Sequence, residues 1–287
     1  MQPLEFHETV YLRHGARALT ARLLLPEGAG PHPAVVALHG GAWCKGARGD
    51  CDGLAWAFAG AGIAVASLDF RDGADLYPSS LLDIHYGIRW LKAEAPALGL
   101  GRVGIVGQSS GGHLAMLAAM RPADPRYAAL PAPPGGEGVD ATVAAVVMLW
   151  PVINPLSRYR HAQRARAEGA AWAGDIPERQ VLYWGDTAAM AEGNPLLALE
   201  RGEALRLPPA LWLQGRPDPA HDYRDPEGGF DGTEPDRFAA RYRAAGGVLN
   251  LLTTAPGDRD GPAALAMAAA FLRTALASPL ATARGGG

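Results

Sequence analysis

The stretch "VGIVGQSSGGHLA", residues 103 to 115, decides how the rest of the chain is read. A short β-branched run passes directly into a helical pattern, and Gly107, Ser109 and Gly111 fall at the junction as G-x-S-x-G. A strand turning this sharply into a helix lifts the central serine hydroxyl out at the strand's C-terminal edge, and the flanking glycines permit the strained turn. The backbone N–H of Ser110 opens the helix and points toward the same space. In a chain with 37 glycines the motif alone arises by chance; the strand before it and the helix after it give it weight.

Working outward, short apolar runs bounded by Gly and Pro recur at 34–40, 62–70, 102–109, 142–150, 209–215 and 248–254, as expected of strands buried on both faces. Helical spacing lies between them. "PSSLLDIHYGIRWLKAEA" offers Ser79 or Ser80 as N-cap, "EPDRFAARYRAAGG" ends in a glycine pair suited to a C-cap, and "GPAALAMAAAFLRTAL" closes the pattern. The alternation predicts an α/β fold with a mainly parallel sheet covered by helices on both faces. Residues 151–208 interrupt it with helical spacing, many charges and no strand. We expect a helical cap inserted between the core segments 1–150 and 209–280, a surface loop at 130–140 and a disordered tail at 281–287.

Composition narrows the function. A 48% hydrophobic chain of 287 residues fills a sizeable core, while a net charge of -3 with scattered Lys and Arg argues against nucleic acid as a partner. The N-terminus lacks the pattern of a signal peptide and no segment reaches the roughly 18 apolar residues of a membrane span. A cytoplasmic protein with no membrane partner is expected; a homo-oligomer stays open. Cys44 and Cys51 are too few for a disulfide framework and are read as reduced thiols in a loop. No cofactor or metal is implied, because "GQSSGG" is not a dinucleotide fingerprint and no histidine cluster has ligand spacing. The acidic run Asp222, Asp225, Glu227, Asp231, Glu234 and Asp236 lacks calcium-loop spacing and reads as a solvated loop.

A second motif, "LHGGAWCKG", also follows a strand. Gly40 and Gly41 let backbone N–H groups approach a developing oxyanion and complete, with Ser110, a cradle for a tetrahedral intermediate. Together with "LDFR", "GQSSGGHLA", "LPPALWLQGRPD" and "RFAARYRAAGG", this motif resembles the α/β-hydrolase fold, specifically bacterial esterases of the feruloyl, acetylxylan and hormone-sensitive-lipase-like groups, over roughly residues 20–277.

The resemblance implies a small carboxylic ester as substrate, Ser109 as nucleophile, Gly40, Gly41 and Ser110 as oxyanion donors, His39 as a loop-shaping residue, and Asp218 in "QGRPD" as the acid. It also implies a histidine after the last strand, in a pattern like P-G-x-x-H-G. Here the chain reads Pro256, Gly257, Asp258, Arg259, Asp260, Gly261, with Asp260 in the histidine's place. A carboxylate with an ordinary pKa near 4 is a poor base for a hydroxyl.

Asp260 is therefore placed in the catalytic set, either as part of an atypical base or, paired with Asp218, as an acid-base couple for a non-hydrolytic lyase, cyclase or dehydratase. Arg259 could instead neutralise that pair. A silent or deliberately inactivated hydrolase is the remaining alternative. His221, three residues after Asp218, is the obvious substitute base; His113 and His85 are expected in the scaffold. Trp43, His161 and Trp184 are candidate pocket residues, and Trp150, Trp172 and Tyr183 join them as an entrance lining or as cap core.

Overall fold

The computed structural model describes residues 5–255 and 258–277. Strands β1 (Phe6–His14) and β2 (Arg17–Leu24) form a hairpin that leads to β3 (His32–Leu38), helix α1 (Asp52–Gly60), β4 (Ala64–Leu68), α2 (Ser79–Glu94), β5 (Leu100–Gln108), α3 (Ser110–Met120) and β6 (Val146–Leu149). Four helices follow: α4 (Pro155–Ala167), α5 (Ile176–Trp184), α6 (Thr187–Glu192) and α7 (Pro195–Glu200). The chain then resumes as β7 (Ala210–Gly215), α8 (Glu234–Ala244), β8 (Leu249–Thr254) and α9 (Pro262–Ala277).

The eight strands make one sheet in the order β1-β2-β4-β3-β5-β6-β7-β8. From β4 to β8 all pairs are parallel; only β1–β2 and β2–β4 are antiparallel. This is the α/β-hydrolase arrangement that the resemblance implied, and all six expected strands are in it. The hairpin β1–β2 is the part the apolar runs did not reveal. Its strands mix polar and apolar positions at the sheet edge, so it carries no continuous apolar signal.

The uninterrupted apolar runs are explained by two cores, one on each face. Ala34, Val36 and Leu38 of β3 pack on one side with Val146 and Met148 of β6 and Ala210 and Trp212 of β7, beneath α2, α3 and α8. Val35, Ala37, Val147, Leu149, Leu211 and Leu213, the alternate positions, pack on the other side beneath α1 and α9. At roughly 1.5–3 kcal/mol for each fully buried Val, Leu or Ile, this two-sided burial supplies most of the driving force. The N-terminus of α2 differs from expectation: Pro78 holds the N-cap position, and Ser79 and Ser80 lie inside the helix. The glycine pair after α8 behaves as expected, with Gly246 N–H donating to Arg243 O and Gly247 N–H to Tyr242 O.

Between β6 and β7 the helices begin at polar caps written in the sequence. The Asn154 side chain accepts from Ser157 N–H at 3.0 Å ahead of Pro155, Asn194 accepts from Leu197 N–H at 3.0 Å ahead of Pro195, and Asp186 accepts from Ala189 N–H at 2.8 Å. Residues 130–140 hold no helix or strand. The expected tail 281–287 lies outside the described residues. Among the described residues no helix is long and apolar enough to cross a membrane. Cys44 and Cys51 are free; burial raises the thiol pKa of Cys44 to about 11 and of Cys51, which closes a 3-10 turn rather than lying in a loop, to about 12.

One polar anchor ties the sheet to α2. Asp83, fully buried, accepts two hydrogen bonds to Oδ1 at 2.8 Å, from Arg71 Nη2 and His14 Nε2, and two to Oδ2 at 2.9 Å, from Arg71 Nε and the Arg71 backbone N–H. The loop so fixed then donates Gly73 N–H to Trp43 O at 2.7 Å, which holds the loop after β3 from behind.

Candidate active site

Because β3 to β8 run parallel through the sheet centre, the loops that leave their C-terminal ends gather at one edge. The loop after β3 brings Gly40 and Gly41, the end of β5 brings Ser109, the loop after β7 brings Asp218 and His221, and the loop after β8 brings Arg259. Ser109 has φ 50° and ψ -116°, a conformation L-residues rarely adopt, and its backbone is clamped there: its N–H donates to Leu149 O at 2.9 Å and its carbonyl accepts from Val152 N–H at 3.1 Å.

The glycines on either side make the turn feasible by close approach. A Cβ on Gly107 would lie 2.2 Å from Gly111 O, and one on Gly111 would lie 2.3 Å from His39 O and 2.5 Å from Leu38 O. Backbone, not a movable side chain, fills those spaces. Gly111→Ala is therefore expected to cost about 3 kcal/mol or more, since overpacking against a fixed wall already costs 1–3 kcal/mol. A urea melt showing an unchanged midpoint would contradict the close packing.

Ser109 Oγ stands 3.0 Å from His221 Nε2, and His221 Nδ1 stands 2.9 Å from Asp218 Oδ2 and 3.0 Å from Oδ1. A carboxylate can only accept, so Nδ1 carries the proton and the Nε2 lone pair faces the serine hydroxyl. Asp218 is held in turn by Ala220 N–H at 3.2 Å, Gln214 Nε2 at 3.4 Å and Arg259 Nη1 at 3.3 Å. Burial raises the Asp218 pKa, but the His221 hydrogen bond and the Arg259 charge outweigh it and leave the carboxyl below its usual range. Burial dominates at His221 and, with Arg158 and Arg259 nearby, lowers its pKa against the opposing pull of Asp218.

The expected catalytic residue Asp260 is not brought to this cluster. It is exposed, has no hydrogen bond or ion pair among the described residues, and is absent from the cavity wall. Pro256 and Gly257 of the same segment lie outside the described residues. Its neighbour Arg259 turns inward instead, 3.3 Å from Asp218 and over the Trp150 ring at 4.6 Å. Asp218 and Asp260 thus form no carboxylate pair. The side chain beside Ser109 is His221 instead, because the turn after β7 folds back: His221 N–H and Asp222 N–H both donate to Asp218 O, at 3.1 and 2.7 Å.

His39 is buried, stacks on Phe70 with ring centroids 4.3 Å apart, and its Nδ1 lies 2.8 Å from Gly40 O, which shapes the loop. Gly40 sits against the serine; a Cβ there would lie 3.3 Å from Ser109 Cβ. The N–H groups of Gly40 and Gly41 have no acceptor among the described residues, and that of Ser110, at the first position of α3, has none within its helix. His113 is in the scaffold, between Trp43 Nε1 at 3.2 Å and Gly193 O at 2.7 Å, with burial lowering its pKa to about 3. His85 is likewise a core residue, bonded to Pro122 O at 3.0 Å.

A cavity of about 390 Å³ opens over Ser109, walled by Trp43, Val152, Arg158, Trp172, Arg179 and Gln180, among others. Of the three pocket candidates only Trp43 belongs to that wall. Trp184 packs behind it, edge-on at 5.4 Å, and His161 stacks on Tyr223 at 4.0 Å and supports Trp172 at 5.0 Å. Tyr183 is fully buried. The acidic run is not a solvated loop throughout: Asp225 and Glu234 are buried, and its members meet arginines, among them Asp222 with Arg216, Glu227 with Arg160 and Glu234 with Arg237.

The BD-FAE family model matches residues 23–191, more than half of the chain. The chain belongs to the BD-FAE family. Among curated relatives of this BD-FAE protein, "Esterase LipC" of Mycobacterium tuberculosis is 34% identical over 158 residues, 53% of this chain and 36% of that protein. "Ethyl acetate hydrolase" of Pseudomonas putida is 30% identical over 198 residues, 66% of this chain and 57% of that protein. The BD-FAE chain thus matches between about a third and somewhat over half the length of these relatives. An esterase of Pyrobaculum calidifontis superposes with a TM-score of 0.70 at 21% identity, over 96% of this chain and 85% of that one. The carboxylesterase EstE1, cloned from a metagenomic library, superposes with a TM-score of 0.69 at 24% identity, over 96% and 91%. These likenesses place the BD-FAE chain in the α/β-hydrolase fold.

Proposed function

We propose that this chain hydrolyses a small carboxylic ester through Ser109, with His221 as general base, Asp218 as the acid that orients it, and the N–H groups of Gly40, Gly41 and Ser110 as oxyanion donors. The observation that carries the reading is the continuous hydrogen-bonded line from Ser109 Oγ through His221 to Asp218. The names of two relatives, an esterase and an ethyl acetate hydrolase, support the substrate class.

In the reaction His221 Nε2 takes the hydroxyl proton as Ser109 Oγ attacks the ester carbonyl. Asp218 stabilises the imidazolium that forms, and the unpaired N–H groups face the charge that develops on the carbonyl oxygen. The imidazolium then protonates the departing alcohol. Water, activated by the same imidazole, frees the acid and restores the serine.

The acyl intermediate is the direct test. Acid-quenched reaction with p-nitrophenyl acetate, followed by peptide mass spectrometry, is expected to find one acetyl group on Ser109. An unmodified Ser109 with the acetyl elsewhere overturns the reading.

The base must be neutral to act, so kcat/KM rises with pH through the His221 pKa. Because burial lowers that pKa, the midpoint of the rising limb is expected below the usual histidine value of about 6.5. A midpoint well above 7 in initial-rate profiles would contradict the buried environment of His221.

A further inference from the structure

The cavity over Ser109 holds a cation that the reaction above does not use. Arg158, on α4, is only 3% exposed, and burial lowers its pKa, yet a guanidinium stays charged throughout the working pH range. Its Nε donates to Ala220 O at 2.5 Å, and its plane lies over the Trp172 ring at 5.0 Å. Neither terminal nitrogen has an acceptor among the described residues, and Nη1 is fully buried. The other two arginines of the wall are matched: Arg179 pairs with Asp175 at 2.6 Å and Arg259 with Asp218 at 3.3 Å. Arg158 forms no ion pair with any described residue.

A charge held out of water costs several kcal/mol unless it is paired, and Arg158 lines the cavity over Ser109. We propose that Arg158 binds a carboxylate carried by the substrate, so that the preferred ester is a monoanion. The two terminal nitrogens of a guanidinium match the two oxygens of a carboxylate, and Trp172 keeps the plane in place beneath it. The inference rests on the ester-hydrolase reading of Ser109. The carboxylate could belong to the acyl part or to the alcohol part, and the assay separates the two.

Initial rates at pH 7 are compared for monomethyl glutarate, with its carboxylate on the acyl side, acetoxyacetate, with it on the alcohol side, and the neutral dimethyl glutarate and methyl acetate. The expected result is a kcat/KM for one monoanion about tenfold or more above that of its neutral counterpart. Arg158→Gln should erase the preference by lowering the anion's kcat/KM about 10- to 100-fold more than that of the neutral esters, as loss of a charge-assisted hydrogen-bonded pair predicts.

Equal losses on neutral and anionic esters would make Arg158 only a positioning residue acting through Ala220 and would overturn the proposal. So would a wild-type preference for the neutral esters, which needs no variant to be read. Should none of the esters, p-nitrophenyl acetate included, be turned over, the hydrolase reading fails on its own. Calorimetry of glutarate on the Ser109→Ala chain then decides this one: binding lost on adding Arg158→Gln supports it, and no binding overturns it.

Discussion

Replacing His221 by Ala is expected to lower kcat/KM for a short ester by about 10⁴-fold or more, close to the loss from Ser109→Ala. In the proposed reaction the two residues act as one unit, since the serine is a weak nucleophile until Nε2, 3.0 Å away, accepts its proton. The double variant should therefore lose scarcely more than either single one. Asp260→His and Asp260→Asn should both leave the rate within about twofold, because the side chain at 260 points to solvent. Restoration of large activity by Asp260→His, in a chain where His221→Ala costs nothing, would mean that the histidine of the pattern is missing and that the contact at 221 is idle. Steady-state assays on the five variants, each checked for a native melting transition, decide between these outcomes.

The second large effect concerns stability. Asp83→Ala is expected to cost about 3–5 kcal/mol, because it leaves the Arg71 guanidinium, about one-fifth exposed, and His14 without the carboxylate that both face. In a chain of this size that corresponds to a fall in Tm of roughly 6–15 °C. Activity should fall as well. Arg71 opens the loop whose Gly73 N–H supports Trp43 O, so loosening it disturbs the segment that carries Gly40 and Gly41. Asp83→Leu combined with Arg71→Met should recover much of the stability, since neither charge is then stranded. An Asp83→Ala melt within 1 °C of the parent would mean that water already screens the pair.

These two residues also mark what could be read from the sequence and what could not. The strand-to-helix turn at Ser109, the Gly40–Gly41 loop and the placing of Asp218 just after β7 were legible because each follows an apolar run directly, and such local patterns survive without three-dimensional knowledge. The base was not. A histidine three residues beyond Asp218 and an aspartate at 260 both lie in loops at the same sheet edge, and which of them turns inward depends on how the 218–222 turn closes on the Asp218 carbonyl. No periodicity encodes that.

Arg158 was hidden for a related reason. Within "SRYRHAQRARAEG" it is one of several arginines, and only tertiary packing separates the buried one from Arg160 and Arg164, which meet Glu227 near the surface. The antiparallel hairpin β1–β2 escaped because its strands mix polar with apolar positions rather than running apolar throughout.

Asp218 and His221 share one turn of four residues, held by its own backbone hydrogen bonds. In the proposed reaction acid and base therefore travel as a single cassette, and a duty that would otherwise need two separate loops to keep their lengths in step falls to one. On that reading Asp260 is released to vary, whereas Arg259 beside it stays tied to the Asp218 carboxylate at 3.3 Å. A survey that demands a histidine after the last strand would count such chains among the dead members of the family, whereas one that also accepts D-x-x-H after the preceding strand would keep them.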